Sequence, residues 1–179
     1  MIKKLYHGTK IYFVEPDLEK AKNRKDFGKG FYLTSNYDQA MRWAIKKLPN
    51  NDKNCTAYVY EYEFDTDNVK ELYVLELLEY NKEWLDFITP NRHEGEKEIV
   101  YDLIYDRMAD STGDELVANI ESYWHKGKSA EEVLKTIKFR NGEFDQYCFK
   151  TLKALNCLKR LGYIELYKLD KRPKIIGRH

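Results

Sequence analysis

A chain of 179 residues with 42% hydrophobic and 34% charged side chains can bury a core and is not composed like a disordered segment. Its 31 basic and 30 acidic side chains leave a net charge of +1, which excludes the broad basic surface of a generic nucleic-acid binder and leaves room only for a local patch. No apolar run approaches the ~20 residues of a membrane-spanning helix, and Met1 to Tyr6 has the character of a strand rather than a leader, so a soluble cytoplasmic protein is expected.

In chain order, Ile2 to Tyr6 is predicted as a strand and is followed by His7-Gly8-Thr9. Ile11 to Lys25 is polar and mixed, a loop expected to fold back over another part of the protein. Asp26-Phe-Gly-Lys-Gly-Phe-Tyr-Leu-Thr34 sets Gly28 and Gly30 before a short strand, Phe31 to Thr34. Asn36 offers a helix cap, and Ala40, Trp43, Ala44 and Leu48 recur at helical spacing before Pro49. Thr56 to Phe64 alternates, with Ala57, Val59, Glu61 and Glu63 on one face and Tyr58, Tyr60, Tyr62 and Phe64 on the other, as in a half-buried strand.

Leu72 to Leu78 is a further strand, and Trp84 to Ile88 is one or two helical turns ending near Pro90. Ile99 to Tyr105 reads as a strand with Asp102 and Asp106 as its polar members. After a turn at 110–113 come helices at 114–124 and 129–137, the second opened by the capping box Ser129-Ala-Glu-Glu132. Gln146 to Phe149 is a short strand, Leu152 to Leu161 a helix stopped by Gly162, and Tyr163 to Leu169 a last strand. This order is an α+β pattern in a single domain, 1–179, with the paired helices as an insertion at 112–140.

Cys55, Cys148 and Cys157 show no metal-ligand spacing and read as buried thiols of a reducing compartment. His7, His93, His125 and His179 are dispersed, so no metal site is expected. Three small groups carry the chemistry. A histidine at a strand end before glycine, His7-Gly8, can turn an imidazole and an exposed backbone toward one ligand, although an ordinary turn has the same residues. Tyr32 and Trp43 can close on one flat ring, although both also suit a core. Gln146, opening a short apolar strand after Glu143 and Asp145, can hold a ribose hydroxyl, although solvated polar residues at a junction look the same.

Together and in this order, Leu5-Tyr-His7-Gly8-Thr9, Gly28-Lys-Gly30-Phe-Tyr32-Leu33 and the strand opening at Gln146 resemble the His-Tyr-Glu class of the ADP-ribosyltransferase superfamily, and Tyr6 to Thr9, Asp26 to Tyr32, Ala40-x-x-Trp43-Ala44 and Gln146-x-x-Phe149 resemble a bacterial family within it. The poly(ADP-ribose) polymerase catalytic domains carry His-Gly, Gly-Lys-Gly-Ile-Tyr-Phe and Asn-Glu-Tyr. The stronger resemblance is to a bacterial family of unknown function placed in that superfamily. It covers most of the chain from Leu5 to about Leu161.

The resemblance implies a split β-sheet core that binds NAD. His7 would hydrogen-bond a ribose of NAD, the backbone of Gly8 would grip the nicotinamide carboxamide, Tyr32 would line the nicotinamide pocket, and Thr9 and Gly30 would also belong to the NAD-binding set. Trp43 would be the second aromatic wall. Ala40 stands where the polymerases have a carboxamide-binding Ser. Gln146 stands where the third signature residue is usually Glu. His7, Tyr32 and Gln146 are thus the implied catalytic residues, NAD the substrate, and the reaction breaks the nicotinamide–ribose bond through an oxocarbenium-like transition state.

Gln146 can accept a hydroxyl's hydrogen bond but adds no charge. That disfavours chain elongation. It leaves a mono-ADP-ribosyltransferase acting on an unknown macromolecular acceptor, a site where Glu143 or Asp145 supplies the charge, or an NAD-binding regulatory module without turnover. Nucleic-acid-directed ADP-ribosylation is a further alternative, and a masking, antitoxin-like protein partner is compatible with the pattern. Asp145 would face away from Gln146 if both lie in one strand.

Overall fold

Strand period, caps and turn residues dictate most of the local structure of this chain. A computed structural model describes residues 1–49, 56–107, 113–137, 144–169 and 172–179. It is a mixed α+β protein that divides into two compact units. The first comprises Met1–Pro16, Tyr32–Leu72 and Leu152–His179, and the second Asp17–Phe31 and Tyr73–Thr151.

The first unit is built on a four-stranded antiparallel sheet. Its strands are β1 (Ile2–Thr9), β3 (Thr56–Asp65), β7 (Leu158–Leu169) and β8 (Arg172–Arg178), in the order β1-β3-β7-β8. The aromatic and β-branched side chains of β3 suit its place inside the sheet. The predicted alternation of β3 holds, but both of its faces are buried in part. Ala57 and Val59 pack with Ile164 and Leu166, with Ala40 and Ala44 of the helix α1 (Tyr37–Lys46), and with Leu48 just after it. On the opposite face, Tyr60, Tyr62 and Phe64 are buried as well. Asn36 caps α1 as expected, accepting the Gln39 N–H at 2.9 Å.

The second unit has a sheet of order β2-β6-β5-β4, formed by β2 (Phe31–Leu33), β4 (Val74–Leu77), β5 (Leu103–Arg107) and β6 (Asp145–Phe149). The chain passes from this unit to the first inside β2, between Phe31 and Tyr32. β4 and β5 run parallel, and β5 and β6 antiparallel. The helices α3 (Gly113–Trp124) and α4 (Ala130–Thr136) lie on the connection between β5 and β6, two directly paired strands. The capping box of α4 is present, with Ser129 and Glu132 bonding each other's backbone N–H.

Several elements differ from the sequence reading, which ended on a strand at Tyr163–Leu169 and did not anticipate β8. The helix expected over Leu152–Leu161 is one turn, α5 (Leu152–Leu155), and β7 begins at Leu158. Leu158, Lys159 and Arg160 pair with Phe64, Glu63 and Tyr62 of β3, and a bulge follows before Gly162 meets Glu61. Pairing with β3 overrides a helical spacing of leucines. Gly162 is therefore no helix cap; a Cβ there would lie 3.0 Å from the His179 carbonyl carbon, so glycine lets the chain's end approach β7.

The helix expected to end near Pro90 is α2 (Lys82–His93), capped by Asn81 and continuing past Pro90, whose carbonyl accepts the Glu94 N–H at 2.8 Å. Burial of Trp84, Leu85, Ile88 and Thr89 sustains it through the missing proline donor. The strand expected at Ile99–Tyr105 starts only at Leu103, with Ile99 and Val100 exposed. Asp102 ends the loop before it. Its N–H reaches the Tyr73 carbonyl at 2.8 Å, and its carboxylate accepts the Tyr73 N–H at 2.9 Å and the Thr151 hydroxyl at 2.6 Å.

Cys148 and Cys157 are buried free thiols as expected, while Cys55 lies outside the described residues. Among the described residues, no helix is long and apolar enough to cross a membrane, and no group of His, Cys, Asp or Glu is placed to hold a metal ion.

Candidate functional site

In the first unit the two leading motifs meet. Tyr6 and Thr34 exchange backbone hydrogen bonds of 2.8 and 3.0 Å, which lays the end of the glycine-led strand beside β1. This register sets His7 Nδ1 2.7 Å from the Tyr32 carbonyl oxygen. A carbonyl only accepts, so Nδ1 carries the proton, and in the neutral ring Nε2 is the acceptor nitrogen.

His7 lies on the face of the sheet opposite α1. There Phe13 meets its ring edge-on at 5.8 Å and stacks on Tyr60 at 4.0 Å. The Tyr60 hydroxyl accepts the Phe13 N–H at 2.8 Å, and Arg160 sits over the Tyr60 ring while donating to the Phe13 and Val14 carbonyls. Residues 10–14 of the polar loop thus fold back over the aromatic face, as anticipated. Burial pushes the Tyr60 phenol above its ordinary pKa, so it stays a neutral hydroxyl.

Gly8 is not an exposed backbone position. It is buried between β1 and α1, and a Cβ there would lie 2.7 Å from the Ala40 carbonyl carbon. Its carbonyl accepts Lys47 Nζ at 3.4 Å. The sequence His7-Gly8 therefore also answers a packing demand: only glycine lets α1 close on the sheet. Thr9 is buried too, and its hydroxyl accepts the Ile11 N–H at 3.2 Å. Trp43 is half-buried and stands outside the apolar cluster of α1. It lies one turn beyond Gln39, whose side chain accepts the Thr34 hydroxyl at 3.1 Å, so Trp43 is on the flank of α1 nearest the end of β2.

A cleft of about 220 Å³ in this unit is lined by Lys4, Tyr6, Tyr37, Glu61, Ile164 and Arg178. It opens on the α1 face and takes only Tyr6 from the signature motifs, with none of His7, Tyr32, Trp43 or Gln146.

In the second unit the glycine stretch is pinned to β6. Gly28 has φ +68°, a conformation that favours glycine, and a Cβ there would crowd the Glu96 carboxylate. A Cβ at Gly30 would lie 3.0 Å from the Phe149 carbonyl oxygen and would strike Cys148. Lys150, 2% exposed, closes the arrangement: its ammonium donates to the Phe27 carbonyl, to the Lys29 carbonyl at 2.8 Å and to the Glu96 carboxylate at 2.8 Å. Three donors thus meet three acceptors. Arg92 pairs with Asp26 at the start of the stretch, and Asn91 donates to the Asp26 carbonyl at 3.2 Å.

Gln146 is 7% exposed and lies directly across from Asp106 of β5, itself 4% exposed. Cross-strand partners project from the same face, so both side chains enter one interior. Among the described residues, neither Gln146 Nε2 nor Asp106 Oδ1 closes a hydrogen bond. The Trp84 indole N–H leans toward Asp106 without completing one. Burial, and secondarily the nearby Asp26 carboxylate, push the Asp106 carboxyl up to about 8, so at neutral pH it is mostly protonated. Asp145 is in β6 and faces away from Gln146, opposite Arg107, as its position in a strand requires. Glu143 lies outside the described residues.

The structure thus joins His7 with Tyr32 in one unit, and Gly30 and Gln146 with β6 in the other. The sequence reading missed Lys150 and Asp106. Lys150 carries no local signal, because a lysine after a strand reads as a solvated end. Asp106 does carry one: an acid at an inward position, two residues after Ile104. No curated protein and no solved structure significantly matches the chain. Residues 3–160 match the family model described as "Protein of unknown function (DUF3990)", and with that span covered the chain belongs to this family.

Proposed function

We propose that this protein is an NAD-dependent mono-ADP-ribosyltransferase that acts on a macromolecular acceptor. The observation that carries the reading is the 2.7 Å hydrogen bond from His7 Nδ1 to the Tyr32 carbonyl, which unites the residues of the first two signature motifs. With Nδ1 held, His7 Nε2 is the nitrogen that would accept a ribose hydroxyl, and the Tyr32 ring would flank a nicotinamide. Gly8 and Thr9 follow His7 along β1. Trp43 is the candidate for the second wall and Gln146 for the third signature place.

The chemistry asked of these residues is modest. Nicotinamide leaves as a neutral molecule from a cation, so the site needs little acid catalysis. Its work is to hold NAD compactly and to stabilise positive charge at the anomeric carbon. As the third signature residue, Gln146 would bring an amide dipole and no formal charge, which suits single transfer better than elongation.

The test is nicotinamide release and label transfer from labelled NAD, with lysate as acceptor source. His7→Ala is expected to lower kcat/KM by about 100-fold, the scale of losing a positioning contact, and Gln146→Ala to lower kcat. Equal and negligible release and transfer by the wild type and both variants would sink the reading. NAD binding by calorimetry without nicotinamide release would favour a regulatory NAD-binding module, the reading that an uncharged, buried Gln146 also fits.

A further inference from the structure

The carboxamide of Gln146 has two ends of opposite character, and what it offers a ligand depends on which end faces outward. Its cross-strand partner is Asp106, with both side chains on one face of the β5–β6 pair and both more than nine-tenths buried. One polar atom of each, Asp106 Oδ1 and Gln146 Nε2, makes no hydrogen bond among the described residues. Two complementary buried groups left unsatisfied on one face of a strand pair are costly unless they serve each other or a ligand.

We propose, building on the transferase reading, that Asp106 is the positioning residue of Gln146. When ionised it accepts the amide N–H and turns the Gln146 carbonyl oxygen toward a ribose hydroxyl; when protonated it donates to that oxygen and withdraws it from the ligand. The ionised carboxylate is acceptor-only and the protonated acid carries a donor, so protonation alone selects which end of the amide it holds.

The surroundings fit a group that titrates. The Trp84 indole N–H of α2 near Asp106 favours the ionised form, and the Asp26 carboxylate, itself paired with Arg92, opposes it. Its neighbour on β4 is the apolar Leu77. Burial outweighs these and sets the change near pH 8. Asp106 thereby answers the missing charge at Gln146 from the adjacent strand, where Asp145 on the far face cannot.

Two readouts on the full chain test this. The side-chain amide resonances of Gln146, assigned with Gln146→Ala, are followed by NMR from pH 6 to 9.5 without NAD. They are expected to shift with a midpoint near 8 in the wild type and to lose that midpoint in Asp106→Asn. Nicotinamide release from NAD is then expected to rise about tenfold between pH 7 and 9 in the wild type and to stay flat in Asp106→Asn. Amide resonances that do not titrate in the wild type, or that titrate unchanged in Asp106→Asn, overturn the proposal and leave the transferase reading standing. A wild type that releases no nicotinamide at any pH overturns that reading, and with it this use of the pair.

Discussion

Asp106 has a consequence for stability that is separate from any ligand. Its carboxyl holds a proton in the folded state up to about pH 8, whereas an unfolded aspartate releases it near 3.8. Between these values the folded state binds more protons, so stability falls as pH rises through that window. Asparagine has no proton to lose. The stability of Asp106→Asn relative to wild type is therefore expected to improve by about 2–4 kcal/mol on going from pH 5.5 to 8.5. Urea unfolding at both values checks it, and parallel stability curves for the two proteins would contradict it. His7, Gly8, Tyr32 and Gln146 could be singled out from sequence because each belongs to a short motif. Gly8 shows the limit of that reading: a position expected to expose backbone to a ligand is buried against Ala40, because helix α1 must approach β1 closely.

Among the elements, the glycine stretch before β2 depends on the residue that follows β6. Lys150 satisfies the Phe27 and Lys29 carbonyls and the Glu96 carboxylate at once. Lys150→Met would leave a buried carboxylate and two carbonyls without their donor. It is expected to cost about 3–5 kcal/mol, with part of the loss restored by adding Glu96→Gln, which removes the orphaned charge. A double-mutant cycle by chemical denaturation measures this; additive losses would mean that the two groups act independently. The same dependence on distant partners explains the misread elements. Leu152, Leu155, Leu158 and Leu161 are spaced as on a helix, yet the last two lie in a strand because β3 offers a ladder to pair with. Pro90 reads locally as a stop, yet buried side chains on the turns before it carry α2 to His93.

At the scale of the whole molecule, each unit is assembled from separated stretches of chain, three in the first and two in the second. β3 pairs with β1 and also with β7, which lies beyond every element of the second unit in the sequence. Closing such long loops costs entropy before any pairing offsets it. Refolding is therefore expected on a timescale of milliseconds to seconds, as for domains dominated by non-local strand pairing. Stopped-flow circular dichroism tests this, and complete recovery of the strand signal within microseconds would rule it out.

The sequence by itself determined what a few neighbouring residues can decide. These are the period of β3, the caps of α1 and α4, and the glycine stretch that leads into β2. Each depends on interactions a few residues apart, so it is written locally. Only the tertiary structure decided which distant groups share an interior. Asp106 faces Gln146 and Lys150 meets Glu96 across intervening chain, and no local pattern encodes the strand register that brings them together. The glycine stretch was legible as a turn into a strand. That it is fastened by a buried ammonium, and that its Tyr32 carbonyl holds His7, follows only from how the strands are laid side by side.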